Sequence, residues 1–196
     1  MSKFSIIIPS HNGAERIRKA LDSCVSQSFT DYEIIVICDS CDDNTAEIAK
    51  EYTPHVISVG YRRDGLSRNA GLDIAAGDWI LFLDDDDWWL HEFVLEDLAK
   101  LTNDETVDVI NFGVVWRFVG VRGSYGSYLP MVAGHCWRRS FIGDTRFCDA
   151  GYSSDTEFLY NLIRRKPTAL WTALPMYYYN YMRAGSLSDK HKRGEI

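Results

Sequence analysis

The chain alternates between short unbroken apolar runs and stretches in which apolar residues recur every three or four positions. Phe4 to Ile8 is a β-branched apolar run closed by Pro9, and Ile17, Ala20, Leu21, Cys24 and Val25 follow at helical spacing. Ile34 to Ile37 repeats the strand pattern. Asp43 and Asn44 then offer caps for a helix carrying Ala46, Ala49 and Tyr52, and Val56 to Val59 reads as a third strand. A helix from about Leu66 to Ala75 leads into Trp79 to Leu83, whose continuous apolar character predicts a strand buried on both faces. Strands and helices in alternation predict an α/β fold with a right-handed, mainly parallel, Rossmann-type sheet and helices on both faces.

The second half is less regular. Val107 to Trp116 and Phe118 to Val121 read as strands, with Gly113, Gly120, Gly123 and Gly126 marking turns and a long loop over Gly126 to Ala133. Phe158, Leu159, Leu162 and Ile163 form one apolar face of a helix beginning near Ser154 or Asp155, with Ser153 or Ser154 as its cap. Met176 to Tyr181 reads as a last strand. No repeat or low-complexity linker interrupts the pattern, so residues 1–196 are expected to form a single domain. Its smaller mixed half starts at residue 113.

Composition narrows the chemistry. At 196 residues, 46% hydrophobic and 25% charged, the chain has the make-up of one globular domain. Its start lacks the blocks of a signal peptide and its apolar runs are strand-sized, so a soluble, cytoplasmic protein is expected. Five cysteines, an odd number, do not suggest a disulfide framework. Cys38 and Cys41 have C-x-x-C spacing without a second pair, which favours strand-end packing over zinc or redox use. A formal charge of -7 argues against nucleic acid as a partner, although Arg62, Arg63 and Arg68 place local positive charge in one segment.

In parallel α/β sheets, ligands sit at the strand carboxyl ends. The polar clusters fall there: Ser10-His11-Asn12 after the first strand, Asp39 after the second, and Asp84 to Asp87 after the fourth. Four successive carboxylates repel one another unless a cation neutralises them. Their hard oxygens suit Mg²⁺ or Mn²⁺ with open positions for phosphate oxygens, as a diphosphate leaving group would require. An acceptor at Asp39 would suit the ring N–H of uracil. Trp88, Trp89, Trp116, Trp137 and Tyr177 to Tyr179 could stack on sugars, but core packing accounts for most such residues, and His91 and His135 read as structural.

Ser5 to Asn12, Asp39 to Thr45, Ser67-Arg68-Asn69-Ala70-Gly71 and Leu83 to Asp87 follow one another in an order and spacing that resemble the family 2 glycosyltransferases of the GT-A fold. Ser154 to Leu159 is similar to that family's acidic catalytic segment, and Tyr178 to Ser186 to its later Y-x-x-R-x-G-S stretch, so the resemblance covers nearly the whole chain. It implies an inverting transferase using a nucleotide sugar, UDP-sugar by preference, with residues 1–112 as the donor half and the rest as the acceptor side. By the same resemblance Pro9 and His11 border the nucleobase, Asp39 binds the uracil edge, Arg68 lies along the nucleotide, Asp84 faces the ribose and Asp86 the metal. Asp85 is counted with the donor-binding set. His11 stands where the family usually has tyrosine, and Ser154 where it often has glutamate.

Asp155 is the expected general base, since a helix N-terminus favours an ionised first-turn carboxylate. Arg183 is expected to swing over the diphosphate and help exclude water. The implied partners are the donor and a saccharide or lipid-linked acceptor in surface polysaccharide or glycolipid assembly. A lipid-linked acceptor would bring the protein to the inner membrane face as a peripheral partner. Two rival readings are a nucleotidyltransferase, for which residues 9–13 lack the Gly-rich basic phosphate loop, and a transferase-derived protein that binds sugar nucleotides without turnover.

Overall fold

The computed structural model describes residues 2–122, 126, 128–149, 154–181, 183–184 and 186–194. The first half runs β1 (Phe4–Ser10), α1 (Ile17–Val25), β2 (Tyr32–Asp39), α2 (Thr45–Lys50), β3 (Val56–Val59), α3 (Asp64–Ile74), β4 (Trp79–Phe82), the two-residue β5 (Trp88–Trp89) and α4 (Val94–Leu101). The second runs β6 (Val109–Trp116), β7 (Gly120–Arg122), β8 (His135–Arg138), the short α5 (Arg139–Ile142), α6 (Ser154–Ile163), β9 (Ala169–Tyr179) and α7 (Leu187–Lys192).

One sheet carries the strands in the order β3-β2-β1-β4-β8-β6-β9-β5, with β7 paired to β6. β1 pairs in parallel with both β2 and β4, and β2 with β3. Beyond β4 the sheet is mixed: β8 is antiparallel to β4 and β6, while β9 runs parallel to β6. The mainly parallel α/β architecture expected from the alternation is therefore present, with its antiparallel part confined to the second half.

The period of two decides which side chain meets which layer. In β1, Phe4, Ile6 and Ile8 join the core under α1, α2 and α4, whereas Ile7 faces the opposite core with residues of α3, α5 and α6. Strand β4 splits the same way, Trp79 and Leu81 against Ile80 and Phe82. Each fully buried side chain of this kind contributes roughly 1.5–3 kcal/mol. Gly71 lets α3 approach β1: a Cβ there would lie 2.4 Å from Ile7 Cγ2.

Several boundaries and elements differ from expectation. The strand expected over 118–121 covers Gly120–Arg122, because residues 117–119 form the turn from β6. The last strand is much longer than Met176 to Tyr181: it starts at Ala169 and ends at Tyr179. Helix α4, strand β8 and helix α5 lie in stretches the pattern left unassigned. The candidate cap Ser153 and turn residue Gly123 lie outside the described residues, as does part of the loop over 126–133, whose closing residues Val132–Gly134 form a 3₁₀ turn. Among the described residues no helix is long and apolar enough to cross a membrane.

Candidate active site

The strand order reverses at β1, where β2 and β3 lie on one side and β4 on the other. A crevice must open at the carboxyl ends around such a reversal. A cavity of about 580 Å³ occupies it, bordered by Pro9 and His11 after β1, Asp39 after β2, and Asp84, Asp85 and Asp86 after β4. Arg68 and Arg183 complete its wall. Nearly every residue of the expected donor set is thus at one place. Asp155 stands beside the cavity, joined to it through Arg68.

Each of the four consecutive carboxylates has its own protein donors. Asp84 accepts from Arg68 Nη2 at 2.7 Å, and Asp86 from Arg183 Nε at 2.5 Å. Asp85 takes a fork from Arg16, Nε at 2.8 Å and Nη2 at 2.9 Å, together with the Ser10 hydroxyl. Asp87 accepts from the Tyr177 hydroxyl at 2.5 Å and the Asn180 amide at 2.8 Å. Protein donors from four places in the chain contact the four carboxylates, yet Asp84 and Asp86 still raise the pKa of Asp87, so the repulsion within the run persists.

Asp85 and Asp87 are buried by this arrangement, at 7% and 0% exposure, and are spent on structure. Burial pushes Asp85 up to about 6 against the pull of Arg16 and Ser10, and drives Asp87 well above the carboxylate range. Asp85 borders the cavity with both carboxylate oxygens engaged by Arg16 and Ser10. Asp84 and Asp86 point toward the cavity with more of their surface open.

Asp39 is an acceptor at the end of β2, as expected, and it already holds four protein donors. Its carboxylate takes the amides of Arg62 (2.7 Å) and Arg63 (2.9 Å) and the hydroxyls of Ser67 (2.8 Å) and Ser40 (3.1 Å). Burial would raise its pKa, but these donors together hold it below the usual range. The bonds pin the start of α3 to the end of β2. His11, exposed, sets Nδ1 2.7 Å from the carbonyl of Asp39 and so bridges the first two strand ends.

Arg68 lines the cavity from a buried position. It is 5% exposed and sits between Asp84 and Asp155, with Nη1 3.3 Å from Asp155. Burial works against its charge, yet Asp155, Asp84 and Asp64 outweigh that and raise its pKa. Asp155, in the first turn of α6, also accepts the Val132 amide at 3.4 Å. Burial raises its pKa and Arg68 opposes the rise.

Two features of the site escaped the sequence reading. Arg16 was one, although a signal existed: an arginine at the start of α1 is placed against the helix dipole, which favours negative charge there, and so calls for a carboxylate partner. The other is backbone geometry. Asn12 (φ 48°), Ser40 (φ 54°) and Arg62 (φ 54°) all line the cavity in left-handed conformations, a clustering typical of functional sites. His135, read as structural, is buried against Asn111, and His91 is not part of the cavity wall. Cys24, Cys38, Cys41 and Cys136 are free thiols.

Sheet order, crevice and acidic strand end together define a GT-A glycosyltransferase fold. A crystal structure of TarS residues 1–349 from Staphylococcus aureus with UDP-GlcNAc superposes with a TM-score of 0.80 at 22% identity, over 95% of this chain and 60% of that one. A mannosyltransferase from Pyrobaculum calidifontis with GDP-Man and Mn²⁺ gives 0.75 at 16% identity, over 98% of this chain and 61% of that one. Likeness at these identities establishes the fold alone.

Residues 5–169 match the family model Glycosyl transferase family 2, and the chain belongs to that family. It is 28% identical to the uncharacterized glycosyltransferase YibD of Escherichia coli K12, over 98% of this chain and 65% of that protein. It is 34% identical to TarP, a poly(ribitol-phosphate) β-N-acetylglucosaminyltransferase of S. aureus, over 56% of this chain and 36% of that protein. The chain thus spans less than two thirds of the length of these relatives.

Proposed function

We propose that this chain transfers a sugar, with inversion, from a nucleotide donor to an acceptor hydroxyl, and that the donor is a UDP-sugar. The observation that carries the reading is the meeting of Asp84 and Asp86 in the cavity at the sheet's reversal point, with Asp155 held beside them through Arg68. The nucleobase lies against Pro9 and His11. Its ring N–H replaces the longest of the four bonds to Asp39, that from Ser40.

Asp84 receives the ribose hydroxyls. Asp155 accepts the acceptor's proton as that oxygen forms its bond to the anomeric carbon, and the bond from that carbon to the diphosphate breaks with its electron pair on the leaving group. Arg183 leaves Asp86 and covers the diphosphate, closing the site against water. TarP and TarS, named or crystallised with N-acetylglucosaminyl chemistry, support a UDP-sugar donor.

The residues fit a divalent cation. Asp86 and Asp84 present hard oxygens to the cavity, and Mg²⁺ or Mn²⁺ needs only one or two carboxylates when phosphate and water complete its shell. When bound, the ion would neutralise the departing diphosphate. In our reading residues 1–196 act as one domain in surface polysaccharide or glycolipid assembly, in the cytoplasm, and at the inner face of the membrane for a lipid-linked acceptor.

Calorimetric titration of UDP, GDP and TDP with and without Mn²⁺, followed by UDP-sugar hydrolysis, tests the proposal. Selective UDP binding that depends on Mn²⁺ and is lost in Asp86→Ala is the expected result. Absence of nucleotide binding would overturn the site as drawn, and binding without any turnover would favour a sugar-nucleotide sensor.

A further inference from the structure

Helices α3 and α6 belong to different halves of the chain, yet they are fastened with unusual care. The Asn69 side chain donates to the Phe147 carbonyl at 2.9 Å and accepts its amide at 2.8 Å. Phe147 stacks on Phe158 of α6 with ring centroids 3.9 Å apart. Gly65 brings α3 so close that a Cβ would lie 3.1 Å from Ser154 Cβ, one residue before Asp155. Arg68 emerges from α3 into this junction. Its two terminal nitrogens divide between Asp84 at 2.7 Å and Asp155 at 3.3 Å.

We propose that Arg68 is a positioning residue whose guanidinium fork ties the Asp155 carboxylate to the donor carboxylate Asp84, fixing where the base stands relative to the donor. The inference rests on the reading of Asp155 as the base. Its geometry is informative because it carries a cost. Nε of Arg68 is buried without a hydrogen-bond partner among the described residues, and leaving such a donor unmade is costly. The side chain is thus oriented for its two carboxylates at the expense of its own third contact. A lysine, a single point of charge on a flexible stem, cannot span both.

The charged and polar groups that face Asp155 define what the tether does. Arg68 and Asp64 come from α3, Asp84 from the segment after β4, and the Val132 amide from the 3₁₀ turn. Burial and the carboxylates Asp84 and Asp64 favour the protonated acid, while Arg68 and the amide favour the anion. Arg68 is the only cation among them. It therefore opposes the upward push of burial on the base and aims its carboxylate. When the donor's ribose takes up part of Asp84, the fork is left more fully to Asp155, so that donor binding favours the Asp155 anion, the form that can take a proton.

Carboxyl ¹³C NMR of the full chain labelled at aspartate, recorded from pH 4 to pH 8, reads this directly, with Asp155→Asn assigning the signal. Asp155 is expected to titrate at least one pH unit higher in Arg68→Met than in the wild type, with Arg68→Lys in between. If Arg68→Met does not fold, Arg68→Lys against the wild type carries the comparison. An Asp155 signal that titrates at the same pH in all folded variants would overturn the tether. Adding UDP to the wild type should lower the Asp155 midpoint, and no change would remove the donor coupling. Hydrolysis of UDP-glucose and UDP-GlcNAc, followed by UDP release, separates the underlying reading: normal turnover in Asp155→Asn would remove the base and leave the NMR result standing.

Discussion

Arg16 shows how much one side chain can hold at this site. Besides its fork to Asp85 it donates to the carbonyls of His11 (2.8 Å) and Asn12 (2.7 Å), so it fixes the first loop and neutralises a buried carboxylate at once. Removing one partner of a buried pair strands the other, at a cost of about 3–5 kcal/mol. Arg16→Met should therefore lower stability by about 3 kcal/mol in urea unfolding at pH 7 and weaken UDP binding through the loop. A change under about 1 kcal/mol would show that Asp85 is content without it, as a protonated acid would be. His135 gives a pH-dependent counterpart. Its ring nitrogens lie 2.7 Å from Asn111 Oδ1 and 3.1 Å from the Leu129 carbonyl, but burial dominates and pulls its pKa down to about 4. A histidine depressed in the folded state contributes stability above its unfolded pKa near 6.5 and loses it as pH falls toward 4. The urea midpoint should thus fall between pH 6.5 and pH 4.5, and His135→Asn should flatten that slope. An unchanged slope would assign the acid sensitivity elsewhere.

At the scale of elements, close approach decides what the pattern of apolar residues cannot. Gly71→Val should force α3 away from β1, since its Cβ would already meet Ile7 at 2.4 Å. Overpacking of this kind costs about 1–3 kcal/mol, and because α3 carries Arg68 the variant should lose donor affinity together with thermal stability. Full UDP affinity in a destabilised Gly71→Val would separate helix packing from the site. The sequence made the first half legible because β1, β2 and β4 are buried on both faces and so read as unbroken apolar runs. The second half resisted for a physical reason. Strand β9 has a mostly half-buried or exposed first part, holding Pro175, and its pairing with β6 shifts register around Gly113. Neither period stands out in such a strand. Helix α4 has a buried face of Val94, Leu95 and Leu98, but it follows directly on the tryptophans of β5, whose bulk hides the change of period.

At the scale of the molecule, the location of the site was legible because strand ends and strand order follow from chain direction and chemistry. The partners within it were not. Which cation meets which carboxylate depends on contacts across 69 positions for Arg16 and Asp85, and 97 for Arg183 and Asp86. No local spacing encodes such pairs, so the protein donors that hold Asp39 and Asp85 could not be read from the sequence. The same distances set an order of assembly. Asp84 can find Arg68 within the first half, but Asp87 waits for Tyr177 and Asn180, and Asp86 for Arg183. On a ribosome, a chain that has emerged only as far as β6 therefore carries two of its four aspartates without their counterparts. The acidic strand end matures only when residues 177–183 arrive, and a copy without them leaves Asp86 and Asp87 unanswered at the cavity's edge.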